Sequence, residues 1–231
     1  DPSKLVGIYR VHPLLHTFEI GKSSAIVGQN LQDLQLPDKY KITVVSIERV
    51  EKRTISKFQT KETLTPKAGT SFQTNDMVLL LGEKTDIERF ADDYQLEKSS
   101  KRMDKHLLSG QYGISEMIVP PHSAFEDKTI RELQFRKKFN CSVLAIYRNG
   151  KYIQADACKI RLQNGAALLV HGEWSKMEAI AKTTTDLIVV GRVSDTAATE
   201  AARGKAPIAA GIMLLMLVLM TLELIDPVIT V

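Results

Sequence analysis

The sequence predicts an α+β fold. Two tandem small modules each read strand-helix-strand-strand-strand-helix around a largely antiparallel sheet, and the start of a transmembrane helix follows them. Three observations predict it. Residues 24–49 lie on residues 123–148 without a gap, at a shift of 99 positions. Each copy then closes in the same way, with a polar turn, an apolar strand, a glycine and a helix. Finally, residues 206–222 carry no charge at all.

The repeat sets the organisation. Leu31, Leu34, Leu36, Tyr40, Ile42, Val44, Ile47 and Arg49 fall on Ile130, Leu133, Phe135, Phe139, Cys141, Val143, Ile146 and Arg148. An apolar pattern kept in register over about 26 residues marks a duplicated unit. A chain of 231 residues accommodates two such units of roughly 80 to 100 residues each. We divide it into a first module (1–96), a polar, basic linker (97–110) and a second module (111–193). A small-residue linker (194–205) and the transmembrane helix (206–225) complete it.

Residues 5–9 form a short apolar run of strand type. His12 and His16 stand four apart, but Pro13 intervenes and no third ligand is near, so they read as structural rather than metal-binding. Gly21-Lys22-Ser23 resembles the end of a phosphate-binding loop, yet His16 occupies the place of the required first glycine, which leaves a turn entering a helix. Residues 30–36 suit a short amphipathic helix. Its second copy, 129–135, is better formed, because Thr129 and Glu132 have capping-box spacing. Buried strands follow at 42–47 and 141–147. Asn149-Gly150 between apolar runs is a two-residue hairpin signal. The first copy carries about nine extra residues after Arg49, placed in a longer hairpin or loop. Residues 72–83 align with 162–173, and helices follow at 84–94 and 174–182; residues 186–191 suit a further strand.

The composition is that of an ordinary globular protein, 44% hydrophobic and 25% charged. A net charge of +4, widely dispersed, gives no footprint for nucleic acid. Cys141 and Cys158 sit in apolar runs and read as reduced core residues rather than a disulfide or metal pair. The uncharged run 206–222 shows no polar face and reaches the lower limit for crossing a bilayer. Arg192, Arg203 and Lys205 just before it place the modules on the cytoplasmic side.

The residues from Glu116 to Glu173 resemble the TrkA C-terminal (RCK_C) domain of regulators of potassium conductance. Glu116-Met117-Ile118-Val119, Ser123, residues 128–133 and residues 143–148 carry the resemblance. The first copy matches more weakly, through residues 27–31 and 44–49, and keeps Asn75-Asp76 where the second has Gly165-Ala166. Two such domains before a membrane helix resemble the cytosolic loop of a bacterial permease of the divalent-anion:sodium symporter type, within the citrate-arsenite ion transporter superfamily. The resemblance implies a homodimerising, ligand-sensing region at the inner membrane, facing the cytoplasm. It also implies a small anionic effector, a cyclic dinucleotide in some relatives. By position its contacts would be Ile130, Arg136 and Ser142. Of these, Arg136 has evident phosphate chemistry. Its plain reading is a solvated residue of the run Arg136-Lys137-Lys138. Arg49 and Arg148 each end a strand and read as structural ion-pair residues, partnered by an early glutamate of the module.

Other classes fit less well. A regulatory region of a potassium or cation transport system is the alternative, but it would be expected with a Gly-x-Gly-x-x-Gly nucleotide-binding domain, a motif these residues lack. No Ser-His-Asp, Cys-His or paired-carboxylate arrangement stands at catalytic spacing, and His122 beside Pro120-Pro121 reads as a loop residue, so the chain is not expected to be an enzyme.

Overall fold

The computed structural model describes residues 2–51, 60–99, 111–154, 157–190, 211–214 and 216. Its core is the predicted duplication. In the first module β1 (Leu15–Glu19), β2 (Thr43–Glu51), β3 (Thr60–Leu64) and β4 (Met77–Leu81) form an antiparallel sheet, edged by β5 (Glu97–Lys98), in the order β3-β2-β4-β1-β5. In the second, β6 (Tyr112–Ile118), β7 (Cys141–Arg148), β8 (Lys151–Ile153), β9 (Ala167–Glu173) and β10 (Ile188–Val190) take the order β10-β6-β9-β7-β8. Read from the hairpin end, the two orders are the same. Even the irregularities repeat: β2 shifts register between Val44 and Ser46, and β7 between Val143 and Ala145, 99 positions on.

Local chemistry explains the connections. Asn149 and Gly150, at φ of 50° and 77°, join Arg148 to its partner Lys151 in a two-residue hairpin. Thr129 and Glu132 cap reciprocally, the Glu132 N–H donating to Thr129 Oγ1 at 3.0 Å and the Thr129 N–H to Glu132 Oε2 at 2.7 Å. The predicted helix does not continue smoothly in either copy. Helix α2 (Leu31–Leu34) ends at Gln35, and α3 (Leu36–Lys39) restarts after it; in the second module turns reach Gln134 before α5 (Phe135–Phe139). Gln35 and Gln134 both adopt left-handed backbone, at φ of 45° and 46°, a conformation costing a non-glycine residue roughly 1–2 kcal/mol. Just after the breaks, Leu36 and Phe135 are buried in the cores of their own modules, and Pro37 and Arg136 follow them.

Helices α4 (Lys84–Asp93) and α6 (Trp174–Thr183) cover one face of each sheet. Phe90, Ile87, Leu34, Leu36 and Leu80 fill the first core, and Trp174, Met177, Phe125, Phe135 and Leu168 the second. The other faces meet each other. Val45, Leu79 and Leu81 from the first sheet pack with Ile114, Leu144, Ala145 and Leu169 from the second. Sandwiched between its helices and a second sheet, β4 buries all five residues, which is why it reads as an unbroken apolar run.

Two expectations are corrected. Residues 5–9 are not a strand: α1 (Pro2–Ile8) is helical, and Val6, Tyr9 and Val11 cover the seam between the modules, docked on the second one. The predicted linker opens with β5, whose Glu97 and Lys98 pair with Glu19 and Phe18, as β10 pairs with β6 in the other copy. His16 lies in β1 and His12 in a single 3₁₀ turn, so they do not share a helix face. The insertion after Arg49 lies in the β2–β3 hairpin, and residues 52–59 of it are outside the described residues. Most of the expected membrane helix is likewise outside them; residues 211–214 and 216 are helical and exposed. Among the described residues no helix is long and apolar enough to cross a membrane.

Candidate functional site

The two helix breaks face each other across the seam, and between them lies a cleft of about 940 Å³. Its walls include Leu31, Leu36, Pro37, Ile42 and Val44 from the first module and Ile130, Phe135, Arg136, Cys141 and Val143 from the second. A largely apolar cleft of this size with a few convergent polar groups is the usual form of a small-molecule site.

Arg136 is the chemical centre. It is not the solvated residue its basic neighbours suggest. Its Nη2 donates to the carbonyl of Val44 in the other module at 3.0 Å, and among the described residues no carboxylate pairs with it. Removal from water disfavours the charged guanidinium and pushes its pKa down to about 10. At neutral pH it remains a cation held against an open cleft, with the Val44 carbonyl as its hydrogen-bond partner and Cys158 nearby. Such a group gains most from an anion.

The rim is basic as well. Lys41, Lys67, Arg131 and Lys137 are exposed around the opening, and Asp38 is the acidic residue among those lining it. Asp38 is engaged across the seam by Arg131, 3.0 Å from Oδ1, and by Lys159 at 3.5 Å. The hydrogen bond from Arg131 holds the Asp38 carboxyl below its ordinary range. Gln154 lines the cleft and donates from Nε2 to the Tyr9 carbonyl at 2.8 Å.

Of the three predicted ligand contacts, Ile130 and Arg136 line the cleft. Ser142 does not: it is buried, and its Oγ donates to the Val45 carbonyl at 3.2 Å. The reason lies in the bulge of β2. Val45 is its extra residue, with no partner in the β4 ladder, so its carbonyl turns to the facing module. Ser142 therefore ties the modules together. Arg49 makes a bidentate ion pair, Nε to Asp76 Oδ1 at 2.9 Å and Nη2 to Oδ2 at 2.7 Å; its partner is this turn aspartate and not an early glutamate. In the equivalent turn Ala166 takes the place of the aspartate, and Arg148 donates instead to the Arg161 carbonyl at 3.0 Å. His171, buried in the seam beside these strands, has no hydrogen-bond partner on either nitrogen among the described residues. Burial lowers its pKa to about 4. Among the described residues no group of three or more His, Cys, Asp or Glu could hold a metal.

Sequence reasoning missed Gln154, the Asp38–Arg131 bridge and His171. One signal was available: the register of the repeat sets Arg136 against Pro37 and His171 against Leu81, so both positions depart from their own duplicate.

A sequence model of the TrkA-C domain matches residues 15–94 and again 114–184. The chain is similar to an uncharacterized transporter of Escherichia coli (strain K12), YfbS, 25% identical over 241 aligned residues that take in 97% of this chain and 36% of the relative. It is also similar to an uncharacterized transporter of Synechocystis sp., 23% identical over 190 residues, 79% of this chain and 29% of the relative. The chain thus spans about a third of the length of the curated relatives it matches. Among solved structures, the GsuK RCK domain aligns over 75% of this chain and 64% of its own, at 10% identity and a TM-score of 0.32. The RCK_C domain dimer of S. agalactiae BusR in complex with c-di-AMP aligns over 29% of this chain and 88% of its own, at 22% identity and a TM-score of 0.27.

Proposed function

The chain belongs to the TrkA-C domain family, and on that premise we propose that it is the cytosolic regulatory region of a multi-pass bacterial permease, a secondary anion carrier. The modules (1–96 and 111–193) bind a small anionic effector in the cleft between them. Linker 194–205 then carries the change to a membrane helix at 206–225. The two curated transporter relatives support the membrane setting. The uncharged run 206–222 supports it as well.

One observation carries the effector reading: Arg136, a partly buried cation with no carboxylate partner among the described residues, lines a 940 Å³ cleft built by both modules. A ligand lodged there touches both modules at once, so its affinity depends on how they sit together. That dependence is the requirement for coupling binding to a conformational change. Both modules of one chain line the cleft, and the carrier is a homodimer of such chains.

The test is thermal unfolding of the 231-residue chain in mild detergent with nucleotides, cyclic dinucleotides and divalent anions. A ligand bound only by the folded state at about 100 times its Kd adds about 2.7 kcal/mol of stability. At least one of these anions should raise the transition, and Arg136→Ala should remove the rise. If none of them shifts the transition, the paired modules serve as an assembly scaffold and the effector reading fails.

A further inference from the structure

We infer that the cleft takes a one-ended ligand, with a single anionic group at Arg136 and an uncharged body reaching towards Pro37, and that it disfavours a ligand with two equivalent anionic ends. The inference rests on the effector reading above and names the class of molecule that reading leaves open.

The pseudo-twofold axis relating the modules makes the cleft a comparison of two half-sites. The halves share a backbone. Gln35 and Gln134 break the helix with nearly identical left-handed dihedrals, and the residues after them, Leu36-Pro37 and Phe135-Arg136, begin equivalent short helices. Their chemistry is not shared. Where the second module offers a guanidinium, the first offers the pyrrolidine of Pro37, which carries neither charge nor an N–H to donate. One position further on, Lys137 of the second module stands where the first has Asp38.

An anionic group seated at Arg136 exchanges water for a charge-assisted hydrogen bond. Its symmetric twin would lie beside Pro37, Leu36 and Val143, next to the Asp38 carboxylate, and would lose its hydration with no donor in return. The remaining cations do not restore the balance. Lys41, Lys67 and Lys137 are exposed at the rim, where a cation steers an approaching anion through solvent but does not replace its hydration, and Arg131, half exposed, is already engaged with Lys159 on the Asp38 carboxylate. The duplication supplied a symmetric frame, and two adjacent exchanges, arginine against proline and lysine against aspartate, make the cleft directional.

The test is isothermal titration of the 231-residue chain with inorganic phosphate, AMP and cyclic di-AMP, the last carrying two equivalent phosphates. The second protein is Pro37→Arg, which gives the first module the residue its twin already holds at the same helical position. The wild-type chain should bind AMP at least ten-fold more tightly than cyclic di-AMP. Pro37→Arg should move that ratio at least ten-fold towards the symmetric ligand, a change of about 1.4 kcal/mol. Wild-type preference for cyclic di-AMP, or a ratio unmoved by Pro37→Arg, overturns the inference and leaves the effector site standing. If neither protein binds any of the three anions, the effector reading falls and takes this inference with it.

Discussion

The Arg136 guanidinium of the second module donates to the Val44 carbonyl of the first at 3.0 Å, and no carboxylate of the described residues answers its charge. A cation built into the fold for stability is normally paired, because even a partly buried charge loses hydration that a partner must replace. Replacing Arg136 by methionine removes one charge-assisted hydrogen bond and also removes a partly buried cation, two changes of opposite sign. We therefore expect Arg136→Met to unfold within about 1 kcal/mol of the parent when no anion is present. Urea unfolding measures it. A loss above about 3 kcal/mol would make Arg136 a structural residue and count against its role as an anion receptor.

The Arg49–Asp76 pair makes the opposite case. Asp76 is 1% exposed, takes both nitrogens of Arg49 and also accepts the Gln73 N–H at 2.8 Å. Asp76→Ala leaves the Arg49 guanidinium with only the Ser71 carbonyl, at 2.9 Å, and the Gln73 amide without its acceptor, and is expected to cost about 3 kcal/mol. In the second module the equivalent turn already holds Ala166, and Arg148 makes one bond to a carbonyl near the surface. Arg148→Ala is expected to cost less than about 1.5 kcal/mol. Comparing the two unfolding midpoints checks whether the repeat kept its arginines for one reason or two. Equal losses would mean that the duplicated position, and not the turn aspartate, sets the energetics.

These two arginines also show what a sequence can reveal. The modules, the Asn149-Gly150 hairpin and the Thr129–Glu132 cap were legible because each rests on a local pattern or on the repeat. Helix α1 was not, since its apolar residues find partners on a module more than a hundred residues away. The face-to-face packing of the sheets left a faint trace in the unbroken apolar run of β4, the mark of a strand covered on both sides. Arg136 was hidden by its neighbours: in Arg136-Lys137-Lys138 the three cations read alike, and only the helix break at Gln134 turns the first of them inwards.

His171 makes the seam sensitive to acid. Its neutral form is favoured in the fold, because both ring nitrogens are buried without partners among the described residues and the ring stacks on Tyr112 with centroids 6.0 Å apart. A basic group whose pKa falls on folding, here from 6.5 to about 4, costs nothing above pH 6.5. Below that the unfolded chain takes up a proton that the folded chain refuses. Stability is therefore lost as pH falls from 6.5 towards 4, by at most about 3 kcal/mol. The duplicate position in the first module is Leu81, so His171→Leu is a substitution the architecture already accommodates. Unfolding free energies between pH 7.5 and 4 should fall less steeply in that variant, and parallel curves would assign the acid sensitivity elsewhere.

Tyr9 is the pin that holds α1 to the second module. It is 2% exposed, its hydroxyl donates to the Glu116 carboxylate, its carbonyl accepts from Gln154, and its ring meets Tyr152 edge-on at 5.2 Å. Burial and the bond to Glu116 drive its pKa well above that of a free phenol, so it stays protonated and keeps donating. Tyr9→Phe preserves the ring contact and deletes the donor, at an expected cost of about 1–3 kcal/mol. The loss should be local. Trp174, the single tryptophan, lies against Gly113 so closely that a Cβ there would fall 1.8 Å from the ring, and its emission reports the second core. In Tyr9→Phe we expect unchanged Trp174 emission together with faster proteolysis within residues 2–11. Unchanged protection would mean that Val6 and Val11 hold the segment by apolar contact alone. Because Gln154 touches both Tyr9 and the cleft, an anion that stabilises the cleft should also slow that cleavage.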